Sequence, residues 1–303
     1  MLEIVGLVKE FGKHVVVDGI SFCVGDGEVV GFVGPNGAGK STTMKIISGL
    51  LRPTSGRVTI DGVACEECPQ DYLAKIGALI ESPAFYPSLN AKSHLTYLAR
   101  MRGESIGTLI DRTLSRVGLD PASNKPVRQY STGMKQRLGI AMAVLHSPRL
   151  LILDEPTNGL DPAAIVAMRG LLRQLGDDGI AVLVSSHLLF EIERVCDRVV
   201  FIKSGQVIRD QPVQHQLQNM VKVLVVCKSP QRAYEILASA EFAEDVHRCQ
   251  DGLVCTVSEH RLGMIAATLV HSGIELLELS PVKGELEDFY IQEYGPGMRE
   301  DLK

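Results

Sequence analysis

The 303-residue chain has no tryptophan, only 5% aromatic residues and no excess of positive charge, with 31 Lys and Arg against 36 Asp and Glu for a net charge of -5. That balance gives no overall positive field to draw in nucleic acid or an acidic membrane surface. Uninterrupted apolar runs are short, and stretches such as Leu150–Leu153 stop at charges. None approaches the roughly 18 to 20 residues of a membrane-spanning helix. The first residues, Met1-Leu2-Glu3-Ile4-Val5-Gly6, lack the basic segment and apolar core expected of an export signal. Seven scattered cysteines are a poor disulfide framework and suit a reducing compartment. Cys65 and Cys68 have C-x-x-C spacing, compatible with a redox pair or half a zinc site, but no second pair or nearby histidines complete it. A pair of surface loop thiols is the plainer explanation of the spacing.

What remains is ordinary for a globular protein, 45% hydrophobic and 22% charged. The length allows a large domain plus a small one. From Leu2 to about Asp210, strand-like runs alternate with helix-like stretches, predicting a mostly parallel sheet packed with helices. Candidate strands include Val29–Val33, Leu150–Leu153, Ala181–Ser185 and Val199–Lys203. Between Ser82 and Arg149, helical spacing dominates: Leu95, Leu98 and Ala99; then Ile110, Leu114 and Val117; then Leu138, Ala141 and Met142. This predicts a helical insertion at about 82–149 of an α/β domain spanning 1–212. After Pro212 the order strand, helix, two strands about Asp251-Gly252, helix, strand is that of a split βαβ unit. A small α+β accessory domain is therefore expected over 213–303.

Chemistry concentrates at a few points. Gly34-Pro35-Asn36-Gly37-Ala38-Gly39-Lys40-Ser41-Thr42 follows the apolar run Val29–Val33 and fits G-x-x-x-x-G-K-[ST], the phosphate-binding loop. Glycines let successive N–H groups face one anion-sized hollow at a helix start, where unpaired donors and the dipole favour negative charge. Lys40 would meet the outermost phosphates, and the Ser41 hydroxyl would join the shell of Mg²⁺. A glycine-rich turn joining strand to helix is the plainer alternative.

Leu150–Leu153 ends in Asp154 and Glu155. Adjacent strand residues point to opposite faces, so the two carboxylates need separate roles. Asp154 suits the Mg²⁺ shell, and Glu155 suits a general base that polarises the water attacking a γ-phosphate. Two solvated carboxylates capping a strand would give the same pattern. The run Ala181–Ser186 leads to His187 at a strand end, where ligands of open α/β sheets bind, so His187 is a candidate sensor of the terminal phosphate. Asn158–Pro162 forms a turn opening a helix, with Pro162 at its first position. Ser131 would cap another helix with Gly133 exposed beside it, a second anion-binding end that two subunits sharing nucleotides would use.

In this order the motifs resemble the ATP-binding subunit of an ABC transporter, over about the first two thirds of the chain. The resemblance implies a P-loop NTPase cassette that binds ATP and Mg²⁺ and hydrolyses ATP. It also implies a head-to-tail dimer with a second ATP-binding subunit, in which Ser131 and Gly133 of one protomer complete the site on the other's phosphate loop. Phe11 is similar to the aromatic residue that stacks on adenine, and Asp161 falls in the family's turn beside the nucleotide. Two departures stand out. The family's usual LSGGQ has Tyr130, Thr132 and Met134 in place of its leucine, first glycine and glutamine. Glu81 replaces the glutamine at the junction with the helical insertion, where it can still approach Mg²⁺. Both departures, with Ser82–Pro87, resemble the bacitracin-export and lantibiotic-immunity branch. The expected function is to power export of a peptide antibiotic or other drug through a separate multi-span permease. The chain would sit peripherally on the cytoplasmic face of the membrane, docked through Phe85-Tyr86, with no nucleic-acid partner. The alternative is a soluble ABC-type ATPase acting on ribosomes or DNA, against which the acidic balance and the short span from Lys40 to Ser131 both argue.

Overall fold

The computed structural model describes residues 1–81, 83–101, 107–186, 189–213, 220–249, 251–281 and 285–295. It divides into two compact units, the first over Met1–Val213 and the second over Gln214–Met298. The first opens with β1 (Leu2–Phe11), β2 (His14–Val24) and β3 (Val29–Val33), followed by α1 (Lys40–Ile47), β4 (Ser55–Ile60), β5 (Val63–Ala64), α2 (Pro69–Ala74) and β6 (Ile76–Leu79). A helical stretch follows, with α3 (Ala91–Met101), α4 (Gly107–Arg116) and α5 (Thr132–Val144). The chain returns to the sheet through β7 (Leu150–Leu153), α6 (Pro162–Asp177), β8 (Ala181–Ser186), α7 (Leu189–Glu193), β9 (Arg198–Lys203) and β10 (Gln206–Pro212).

Two sheets organise this unit. The larger runs β10-β9-β3-β8-β7-β6 and is parallel from β9 to β6, with β10 antiparallel on its edge. Its middle strands are largely apolar because both faces of the sheet are covered: all residues of β3, β7 and β8 are buried. The smaller sheet, β2-β1-β4-β5, is antiparallel and half exposed. Its inner residues Leu2, Ile4, Leu7, Val17 and Ile20 share one core with Phe32, Met44, Leu150 and Leu183. In the helical stretch most of the predicted stripe is buried, Leu95 and Ala99, Ile110, Leu114 and Val117, Leu138 and Ala141, while Leu98 and Met142 are half-buried.

The second unit comprises β11 (Met220–Cys227), α8 (Pro230–Ala238), β12 (Ala243–Cys249), β13 (Gly252–Ser258), α9 (Leu262–His271), β14 (Leu276–Pro281) and α10 (Glu285–Tyr294). Its sheet order is β12-β13-β11-β14, all antiparallel, so β13 separates the parallel pair β11 and β12 as a split βαβ arrangement requires. Alternate residues Val223, Val225, Leu253, Cys255 and Val257 form one face, covered by Ala233 and Leu237 from α8 and Ile265 and Leu269 from α9. Among the described residues no helix is long and apolar enough to cross a membrane.

Candidate functional site

Parallel pairing puts the C-terminal ends of β3, β8 and β7 side by side: Val33 pairs with Ser186, and Leu153 with Val184. The loops leaving these ends therefore converge, as at the binding crevices of open α/β sheets. From β3 the chain enters Gly34–Gly39, where space dictates the residue types. A Cβ on Gly34 would lie 2.3 Å from the Ile202 carbonyl oxygen. Gly39 has φ of 105°, and its Cβ would meet the Val16 carbonyl oxygen at 2.7 Å. Only glycine fits both places. Below the loop, the Gly205 N–H donates to the Ala38 oxygen at 3.0 Å, so the β9–β10 turn supports it. Asn36 and Gly37 are exposed at its tip.

Helix α1 begins at Lys40 with no side-chain cap and no acidic residue in its first turn. Its leading N–H groups are left for an anion. The buried Lys40 ammonium donates to the Gly34 oxygen at 2.6 Å and the Pro35 oxygen at 3.2 Å. Burial lowers its pKa, while the negative charges of Glu155 and Asp154 pull it back up. The two carboxylates thus face the same ammonium from the end of β7. Ser41 and Thr42 follow, half-buried.

Asp154 is buried, and its Oδ1 accepts the Ser185 hydroxyl at 2.6 Å. The same Oγ accepts the Glu155 N–H at 2.9 Å. This one hydroxyl orients both acidic residues, and it was missed in the sequence because a serine inside an apolar strand carries no distinguishing pattern. Glu155 sits at φ 51° and Glu81 at 63°, left-handed conformations that side chains rarely adopt outside constrained sites. Glu81 lies just beyond β6, whose last residue Leu79 accepts the Asp154 N–H at 2.9 Å. Its exposed carboxylate bonds Lys45 Nζ at 2.6 Å, and this hydrogen bond, followed by the charge of Lys45, lowers its pKa.

Ser131 caps α5, its Oγ accepting the Met134 N–H at 3.3 Å. Asp161 caps α6 in the same way, with Oδ1 accepting the Ala164 N–H at 2.8 Å, and Pro162 takes the first helical position. The two helix starts touch: a Cβ on Gly133 would be 3.3 Å from that of Ala164. Among the described residues no hydrogen bond joins Ser131 or Gly133 to the Lys40 loop of the same chain. Phe11 ends β1 with half its surface exposed and Lys9 Nζ 5.1 Å from its ring centroid, so it is not a core residue. His187 lies outside the described residues.

No group of three or more His, Cys, Asp or Glu among the described residues forms a metal cage. Ser41, Asp154 and Glu81 carry oxygen atoms of the kind that would suit Mg²⁺, which takes few ligands from a protein when phosphates provide the rest. A glycine cradle, a buried lysine and two carboxylates at one end of a parallel sheet define a P-loop nucleotide hydrolase.

The ABC transporter family matches residues 17–158. The chain is 37% identical over 302 residues to the bacitracin transport ATP-binding protein BcrA of Bacillus licheniformis, covering 98% of both. It is 42% identical over 208 residues to the lantibiotic transport ATP-binding protein SrtF of Streptococcus pyogenes, covering 69% of this chain and 89% of that one. Among solved structures it is similar to a dimeric post-hydrolysis state of the ATP-binding cassette MJ0796 bound to ADP and Pi, at TM-score 0.63 and 28% identity over 71% of this chain and 99% of that one. The chain belongs to the ATP-binding subunits of ABC transporters, and it is an ATPase.

Proposed function

We propose that the chain powers export of a peptide antibiotic or a similar amphipathic drug through a separate membrane subunit. The relative named for bacitracin transport matches across 98% of both chains, second unit included, which supports this branch over a generic cassette. The observation that carries the chemistry is the buried Lys40 ammonium in the Gly34 cradle, facing Asp154 and Glu155. The loop N–H groups and Lys40 bind the phosphates of ATP. Glu155 takes a proton from the water whose oxygen bonds to the γ-phosphorus, while the phosphorus–oxygen bond to ADP breaks. Ser41, Asp154 and Glu81 would hold Mg²⁺, which would supply neutralising charge for the phosphates. Phe11 stacks on adenine, and His187 senses the terminal phosphate.

Because Ser131 and Gly133 stand at a helix start remote from their own Lys40 loop in the hydrogen-bond network, they serve a second subunit in a head-to-tail dimer, with Asp161 beside them. The solved dimer of a 28% identical cassette supports this reading. In functional terms residues 1–212 form the ATP-binding domain, with its insertion at about 82–149, and 213–303 form an accessory domain. The cassette sits on the cytoplasmic face of the membrane, docked through the loop of Phe85 and Tyr86. Tyr86 is 59% exposed, beside exposed Tyr97 and Met101 on α3, an aromatic surface suited to a helix of the membrane subunit.

Copurification of the tagged full chain from membranes, with identification of the attached chain, tests the proposal. A multi-span membrane protein is expected, and bacitracin or lantibiotic tolerance should fall in cells carrying Lys40→Ala. Ribosomes or DNA as the only companions would overturn it.

A further inference from the structure

We propose that His94 is a positioning residue whose bare ring nitrogen fixes the Tyr86 backbone and thereby ties the docking loop to the turn that carries Ser131. The inference rests on the docking reading of Phe85 and Tyr86. His94 is 4% exposed on the first turn of α3, and both its ring nitrogens are committed. Nδ1 lies 2.8 Å from the Asn90 carbonyl oxygen, which can only accept, so Nδ1 carries the hydrogen. Nε2 lies 3.0 Å from the Tyr86 amide, which can only donate, so Nε2 presents its lone pair. The two contacts select one neutral tautomer. Asn90 is itself held as the cap of α3, its Oδ1 accepting the Ser93 N–H at 2.8 Å. The Phe85 ring meets the imidazole edge-on at 5.6 Å and the Tyr86 ring lies at 6.1 Å, so the histidine grips the loop by ring contact as well.

The gripped loop is bonded onward. The Arg128 N–H donates to the Pro87 oxygen at 3.0 Å, and the Val127 N–H to the Leu89 oxygen at 2.9 Å. The Tyr130 N–H then closes on the Val127 oxygen at 3.0 Å, and the next residue is Ser131, the cap of α5. A force on Tyr86 thus reaches Ser131 through backbone hydrogen bonds and one buried ring. Among the described residues the His94 ring bonds to Asn90 and Tyr86, not to the phosphate loop.

Amide hydrogen exchange on the full chain tests the link. In His94→Ala, exchange at Tyr86 should accelerate about tenfold, the equivalent of one hydrogen bond, with acceleration at Val127 and Arg128 as well. His94→Gln places a carbonyl oxygen where Nε2 stood and should restore all three amides, whereas the shorter His94→Asn should not. ATP affinity of the isolated protomer should stay within about twofold, while ATP-driven dimerisation weakens about tenfold in His94→Ala and recovers in His94→Gln. Nitrogen NMR of the wild-type ring should show hydrogen on Nδ1 and none on Nε2. Unaltered exchange at Val127 and Arg128, a His94→Gln variant as defective as His94→Ala, or the opposite tautomer would each overturn the proposal. If His94→Ala does not fold, the Gln and Asn pair gives the same comparison. Absence of any membrane companion would sink the export reading and leave the exchange result standing.

Discussion

Glu155 is held in place by its backbone rather than by a favourable conformation. Its φ of 51° is one that a non-glycine residue adopts at a cost, and the Ser185 hydroxyl fixes its N–H. If Glu155 takes the proton from water, Glu155→Gln should leave ATP binding intact and slow turnover by about 10²- to 10⁴-fold, the range of a general base. An ATP-bound dimer should then accumulate in size-exclusion chromatography; near-normal turnover would assign the base elsewhere. Ser185→Ala separates orientation from chemistry. It removes the donor to Asp154 and the acceptor for Glu155 without touching either charge, so kcat should fall by about 10- to 10²-fold with KM little changed. The buried groups left without that partner should also cost about 1–3 kcal/mol in urea unfolding. At this scale the sequence is eloquent about the cradle, because Gly34, Gly39 and Lys40 sit at fixed spacing. It is silent about Ser185 and about the Lys45 partner of Glu81, because no local pattern encodes which distant side chain comes to rest against a strand end.

Among the elements, buried parallel strands were legible and the half-exposed sheet was less so. Val29–Val33 and Leu150–Leu153 occupy the predicted spans because strands covered on both faces read as unbroken apolar runs. Strands β1 and β2 pair with several register shifts, which break the simple alternation that marks a one-sided strand. Staples between strands are also invisible in a linear reading, and one joins β3, β9 and β10. Glu28, just before β3, accepts Arg198 Nε at 2.7 Å and the Gly25 N–H at 2.7 Å, while Arg198 Nη1 reaches both oxygens of Asp210 at 2.7 Å. Burial would raise the Glu28 pKa, but the Arg198 hydrogen bond and charge with the Gly25 N–H outweigh it and leave the pKa below the ordinary 4.5. A carboxylate with a depressed folded-state pKa adds stability that is fully present above its unfolded pKa and lost as pH falls through the folded one. Glu28→Gln should therefore cost about 1–3 kcal/mol at pH 7. The gap from wild type should close below about pH 4.5, read from urea midpoints across the acid range. A constant gap at all pH values would mean that the ion pair is not what the substitution removes.

The whole molecule is two units with separate cores. Every residue of the core around Phe32, Met44 and Leu183 precedes Pro212, and every residue of the core around Val225, Leu253 and Ile265 follows it. The phosphate cradle, Asp154, Glu155, Ser185 and Ser131 all belong to the first unit, and its edge strand β10 finds its partner in β9 of the same unit. A chain ending at Val213 therefore retains the buried apolar surface that stabilises the first unit. It should unfold in a single cooperative calorimetric transition and bind ATP with the affinity of the full chain. Basal hydrolysis should also persist, because none of the site's residues is lost. If the second unit is a regulatory binding module, the truncated chain will hydrolyse ATP normally while transport loses its response to the drug. If its role is structural, both properties will survive the cut. Loss of ATP binding in a truncated chain that still melts cooperatively would show instead that the second unit helps to build the nucleotide site.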